Sequence, residues 1–246
     1  MDGCLIRCRV FLCPSIALAD AVNYEWFSTT RSLSMGNAAV ASANDGATAM
    51  FYNPAALART KKASVEFFNT QIDMSTGAFA LGGGLDAPKQ LSLEKVKPLL
   101  QAKPNTISTL GAALYPNLNA QNFNFGILMR GEGTSFYDGT SLTYRSRYYL
   151  IPTLGISMGT MGGRVRFGAA VRGIQATDND RTVAGIGTGG EGYTVDAKEG
   201  FGIGLDAGLL LTAPWAGLPT IGLVARNVGD TTFTGSAPVG IASGLV

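Results

Sequence analysis

Alternation of apolar and polar residues at period two dominates the chain from about residue 122 onward. Leu142, Tyr144, Tyr148, Leu150, Leu154, Ile156 and Met158 share one parity, and Thr143, Arg145, Arg147, Thr153 and Ser157 share the other. Successive strand side chains point to opposite faces, so residues 142–158 predict a strand with one apolar and one wet face. Residues 164–172 repeat the pattern, with Val165, Phe167, Ala169 and Val171 opposite Arg164, Arg166, Gly168 and Arg172. Residues 195–211 set Phe201, Ile203, Leu205, Leu209 and Leu211 against Asp196, Lys198, Gly202, Gly204, Asp206 and Gly208. Shorter instances occupy 122–130, where Phe125, Ile127 and Met129 oppose Asn124, Gly126 and Arg130, and 220–226, where Ile221 and Leu223 oppose Thr220, Gly222 and Arg226. Residues 64–75 and 105–116 are strand-like but less regular, and 238–246 reads as the start of an eighth strand.

A soluble β-sandwich also alternates, so the connections carry the choice between architectures. Those at 76–104, 131–141, 177–193 and 229–237 are long, those at 117–121, 159–162 and 213–218 are short, and the two kinds take turns. Outer-membrane barrels have short periplasmic turns and longer external loops, which predicts an all-β, antiparallel transmembrane barrel with a periplasmic N-terminus. Trp215 in a short turn, Tyr115 before another and Tyr144 near the outer strand end suit the aromatic girdles of such a barrel.

Composition narrows this further. Charged residues are 15% of 246, mean hydropathy is +0.18, and no run approaches the ~18 apolar residues of a membrane-spanning helix. A net charge of +2 gives no basis for a nucleic-acid partner. The chain has no His, which removes the usual residue of zinc sites, triads and general-base catalysis, and no catalytic, metal or cofactor residues are expected. All three Cys, at 4, 8 and 13, lie in an opening that reads as an export signal. Arg7 and Arg9 precede an apolar core from Val10 to Leu18, and Ala17-Leu18-Ala19 offers a cleavage site before Asp20.

Between the signal (1–19) and the strands (63–246) lies a segment, 20–62, rich in Ala, Gly, Ser and Asn. Asn44-Asp45-Gly46 is a turn signal, Ala47 to Tyr52 a short helix, and Pro54 forces a break at Asn53. The run RSLSMGNAAVASANDGATAMFYNPAALA, residues 31–58, followed by ASVEFFNTQIDMS, resembles the N-terminal region of the FadL-type long-chain fatty-acid transporters and the related PorV/PorQ-like and TraF-like outer-membrane proteins. The matching positions are Arg31, Met35, Gly36, Asp45 and the triplet Asn53-Pro54-Ala55, and TIGLVARNVGD at 220–230 is similar to a strand and turn of the PorV-like branch.

That resemblance, specific over about residues 28–75, implies a barrel of roughly 14 strands with the N-terminal segment folded inside as a hatch containing Asn53, Pro54 and Ala55. The chain supplies only seven or eight strands. A barrel of about eight is filled by its own side chains, so either the segment lies outside a small barrel or the chain is an incomplete copy of a larger one. The second is preferred, because an open last strand would leave unpaired backbone groups in lipid.

The wet parity supplies lumen-facing candidates: Arg130, Arg145, Arg147 and Arg226 toward the external mouth with Lys198 and Asp196, Arg164 and Arg166 at the periplasmic end, and Arg172 between. They would either attract an anionic head group or pair with neighbouring acids. Gly82-Gly83-Gly84 and the Gly187–Gly190 cluster lack the strand-loop-helix context of a phosphate site. Together these readings predict a bacterial outer-membrane barrel, not an enzyme, that transports or binds a hydrophobic small molecule such as a fatty acid or hydrocarbon. The alternatives are an outer-membrane platform for secretion, conjugation or surface proteins, and a soluble periplasmic β-protein. The partners implied are outer-membrane lipid, a hydrophobic ligand and other proteins.

Overall fold

A computed structural model describes residues 26–36, 38–82, 93–184, 192–215, 217–229, 231–235 and 244–245. The expected export signal lies outside them. The chain begins with helix α1 (Thr30–Ser34), helix α2 (Gly46–Tyr52) and a 3-10 turn, Pro54–Arg59. Strands β1 (Ser64–Glu66) and β2 (Thr70–Met74) follow, then helices α3 (Thr76–Ala80) and α4 (Leu93–Ala102). The remainder is β3 (Ser108–Leu114), β4 (Asn117–Ala120), β5 (Phe123–Tyr137), β6 (Leu142–Thr160), β7 (Val165–Ala184), β8 (Gly192–Thr212), β9 (Thr220–Arg226), β10 (Thr234–Gly235) and β11 (Gly244–Leu245).

All strands join one antiparallel sheet, with β5, β6, β7, β8, β9 and β11 paired in that order. At the other side β5 pairs with β4 near its start and β3 near its end, and β1 and β2 continue outward from these. Among the described residues no ladder joins β1 or β2 to β9 or β11.

The predicted alternation sets the faces. Phe125, Ile127, Leu150, Leu154, Ile156, Met158, Phe167, Val171, Ile203, Leu205, Ile221 and Leu223 stand exposed on one side. The opposite side carries the N-terminal segment. Ser28 bonds Gln71 of β2, Gly46 abuts Asn119 of β4, and Val40 abuts Gly222 of β9. Strands lie about 4.8 Å apart, so one short segment reaches both flanks only if the sheet curls around it.

Glycines make the close approach feasible. A Cβ on Gly168 or Gly208, which pair directly across β7 and β8, would overlap Asn53, Pro54 or Ala55. One on Gly155 would lie 2.7 Å from Met50 Sδ, and one on Gly222 2.8 Å from the Val40 carbonyl. These four form a diagonal stripe across β6 to β9 on which the segment rests. Beside it Ala43, Ala49, Ala55, Ala56, Leu57 and Leu210 form one buried cluster, and Phe27, Met50, Phe51, Tyr115, Leu128, Ile151 and Ile174 belong to a larger one.

Several expected connections are instead regular structure. Residues 117–120 are β4, 131–137 extend β5 and 177–184 extend β7, so the turn between β5 and β6 is only 138–141. That turn is fixed by Asp138, whose Oδ1 accepts from the Thr140 and Ser141 N–H groups at 2.8 and 2.6 Å, holding its carboxyl below the usual carboxylate range. Residues 76–104 contain α3 and α4, which cover the far end of the sheet's apolar face. Leu81, Val96 and Leu100 pack there on Tyr137, Leu142, Tyr144 and Val183. Tyr144 is therefore buried beneath helices. Tyr115 is also buried: β3 and β4 pair with β5 in one continuous register, and Tyr115 shares the inward parity of Ala113, Asn117 and Asn119. Of the three expected girdle aromatics only Trp215 is exposed, at 71%.

Replacing Gly168 by Val should expel the segment from the stripe and destabilise the fold by about 3 kcal/mol or more. Gly173→Ala, whose added carbon would meet Phe201 and Pro152 at 3.4 Å, should cost far less. Denaturant titration together with protease cleavage of residues 26–60 measures both.

Candidate functional site

The N-terminal motif residues occupy caps and tight turns. Arg31 Nη1 donates to Asn44 Oδ1 at 2.7 Å, Gly36 takes φ +63°, and Asp45 caps α2 by accepting from Thr48 N at 2.8 Å. Asn53 ends α2 in extended conformation, and Pro54 opens the 3-10 turn with the φ that its ring imposes. Asn53 is fully buried and satisfies groups on three segments. Its Oδ1 accepts from Ala55 N at 3.0 Å, and its Nδ2 donates to the carbonyls of Val40 at 3.0 Å and Leu209 of β8 at 3.3 Å. Asn53 therefore turns the chain and also ties the segment to the sheet.

The candidate arginines stand on this same face, and carboxylates of neighbouring strands meet most of them. Arg130 lies 3.2 Å from Asp73 and 3.6 Å from Glu132, and it donates to the Trp26 carbonyl at 3.2 Å. Arg145 pairs with Asp180, and Arg147 contacts Asp178 at 3.2 Å and Glu132 at 3.7 Å. Lys198 pairs with Asp196 at 2.7 Å. The far end is thus a mixed-sign lattice rather than a cationic funnel.

Deeper in, Arg172 Nη2 donates to Asp206 Oδ1 at 2.6 Å, with both side chains buried. Asp206 also accepts from Asn227 N at 2.7 Å. Asn227 takes φ +52°, and Thr231 bonds both its side chain and the Ile203 carbonyl. Asn227 and Thr231 therefore lie over Gly202 and Gly204 before β10 rejoins β8, a bulge in the path that follows β9. Arg226, expected at the external mouth, instead lies beside this pair with its guanidinium 5.8 Å from the Tyr52 ring centre, because β9 gives way to the bulge immediately after it.

A polar network that the sequence reading did not single out runs through Tyr115. Its hydroxyl donates to Asn124 Oδ1 at 2.7 Å and lies 2.8 Å from Thr153 Oγ1. Asn124 donates to Asn119, Asn119 to Asn117 at 2.6 Å, and Asn117 to Glu66 at 3.1 Å. Asn117, Asn119 and Asn124 on wet-parity positions were the available signal. At the opposite side of the sheet a largely apolar groove of about 1010 Å³ is lined by Phe68, Ile72, Leu114, Met129 and Tyr148, with Arg130 and Glu132 as its charged members.

At the short-turn end, Arg59 Nη1 donates to the carbonyls of Ala41 and Ala43 at 2.8 and 3.0 Å, and Arg166 Nη1 to Thr212 Oγ1 at 3.3 Å. Burial and the neighbouring Arg166 lower the Arg59 pKa from its ordinary value. Among the described residues no group of three His, Cys, Asp or Glu is placed to hold a metal. This architecture buries apolar side chains and holds the N-terminal segment in register on the sheet. Comparisons with protein-family models, curated proteins and solved structures find no match to the chain.

Asp206→Asn should strand the buried Arg172 charge and cost roughly 3–5 kcal/mol in stability, whereas Arg172→Met combined with Asp206→Leu should recover most of it. A double-mutant cycle in denaturant checks this. Equal losses for the single and double variants would show that the pair does not behave as one unit.

Proposed function

We propose that this chain is an outer-membrane β-barrel protein that holds or passes a hydrophobic small molecule without catalysis. The observation that carries the reading is the height of the exposed apolar belt. On β6 it runs from Tyr148 to Met158. Ten steps at about 3.3 Å, with strands tilted by about 40°, rise roughly 25 Å, the depth of a membrane barrel's apolar band. Phe125, Ile127, Phe167, Val171, Ile203, Leu205, Ile221 and Leu223 continue the belt on the neighbouring strands. In water, so wide an apolar patch would drive association.

The resemblance of residues 31–58 to the FadL-type proteins supports the same assignment and gives the segment on the glycine stripe the role of a hatch. Because Arg130, Arg145, Arg147 and Arg172 already face carboxylates, an uncharged, hydrocarbon-like ligand fits better than a carboxylate anchored by arginine. The packed inner face favours one second reading, a membrane platform for secreted or surface proteins.

The chain should fractionate with outer membranes and migrate differently on gels before and after boiling. Cells carrying it should take up labelled hydrocarbon faster than cells lacking it, and Gly168→Val should change that rate. Unchanged uptake with co-purification of a secretion component would favour the platform. Recovery in the soluble periplasm would eliminate both.

A further inference from the structure

The two ends of the sheet differ in charge. At the far end Arg130, Arg145, Arg147 and Lys198 are matched by carboxylates. At the short-turn end Lys61, Lys62 and Arg164 are exposed, with Arg59 and Arg166 half-buried, and no ion pair among the described residues includes any of these five. The acids nearest in sequence are engaged elsewhere: Asp45 caps α2, and Glu66 accepts from Asn69 and Asn117.

Their placement relative to the belt is specific. A Cβ on Gly159 would lie 3.9 Å from Ala58 and 3.8 Å from Arg166 Cγ, so the end of the 3-10 turn reaches the junction of β6 and β7. Arg164 is fixed there, its carbonyl accepting from Thr212 N at 2.8 Å at the end of β8. The outward apolar residues stop at Met158, Phe167, Leu211 and Ile221, and the cations begin where they stop. Beside them the turns expose Met161, Trp215 and Leu218. Apolar tips flanked by lysine and arginine suit the boundary between acyl chains and head groups. Uncompensated cations at that depth favour anionic lipid.

We propose that the short-turn end, through Lys61, Lys62 and Arg164 backed by Arg59 and Arg166, binds the phosphodiester head groups of anionic phospholipids in the adjoining leaflet. This rests on the membrane reading above. Guanidinium and ammonium groups supply the donors that a phosphate accepts, and Arg59, held close to Arg166, gains a counter-charge when one binds.

The test uses the full chain reconstituted in phosphatidylcholine vesicles containing brominated phosphatidylglycerol or brominated phosphatidylcholine, read by tryptophan fluorescence. Trp215 is 71% exposed in the turn, whereas Trp26, the other tryptophan, is 6% exposed beneath the sheet, so quenching reports the turn. Phosphatidylglycerol should be preferred by roughly threefold or more at low salt, with the preference fading as salt rises. Combined K61Q, K62Q and R164Q should abolish that preference and leave quenching by brominated phosphatidylcholine unchanged. Equal quenching by the two lipids in the unmodified protein would overturn the proposal while leaving the membrane reading intact. A preference that survives the triple variant would overturn its assignment to these residues. Absence of quenching by either lipid would overturn the membrane reading and this proposal together.

Discussion

The close approach of Asn53, Pro54 and Ala55 to the strand backbone at Gly168 and Gly208 is the constraint on which the rest of the inner face depends. A side chain at either glycine would lift the segment off the sheet, and Asn53 would lose its donor contact with Leu209. With the segment in place, its alanines and Leu57 fill the volume that the glycines leave open, and Phe27, Met50 and Phe51 reach the residues of β3 to β7. Packing at this density tolerates little change in volume. The stripe and the segment therefore specify each other: small residues on one partner and a tightly turned, side-chain-poor backbone on the other.

Electrostatics follow the same geometry. The inner face holds many charges at limited exposure, and such charges persist where opposite partners or good donors surround them. Arg172, Asp206 and Asn227 do this with a fully buried pair, and the bulge after Arg226 supplies the backbone donor that completes it. Toward the far end the groups are wetter and the pairs looser, as at Arg147 with Glu132 and Asp178. Such partly solvated pairs contribute little stability. Their effect is to cancel the field that a row of arginines would otherwise project.

Period-two alternation located β5 to β9, and the turn chemistry of Asp45 and Pro54 located α2 and its end. Those signals are local. The upper parts of β5 and β7 were hidden because polar residues occupy both parities there, as in Thr177 to Arg181, a pattern that reads as loop. Helices α3 and α4 are short, and their apolar residues declare themselves only against Tyr137, Leu142 and Val183. The inward orientation of Tyr115 follows the parity of Ala113, Asn117 and Asn119, which small and polar residues around it leave weakly marked. The neutrality of the arginine rows was likewise illegible, because Asp178 and Asp180 lay in an expected loop and each pair spans two strands.

The helical cover formed by α3 and α4 lies on the same face as the apolar belt, immediately beyond Tyr148. Its outer side presents Glu94, Lys95 and Gln101, groups that hydrocarbon rejects. For a sheet seated in a bilayer, such a shoulder acts as a depth stop. In that setting the belt would sink only until the shoulder met the surface, so the helices would set the molecule's height as well as shield the strand ends.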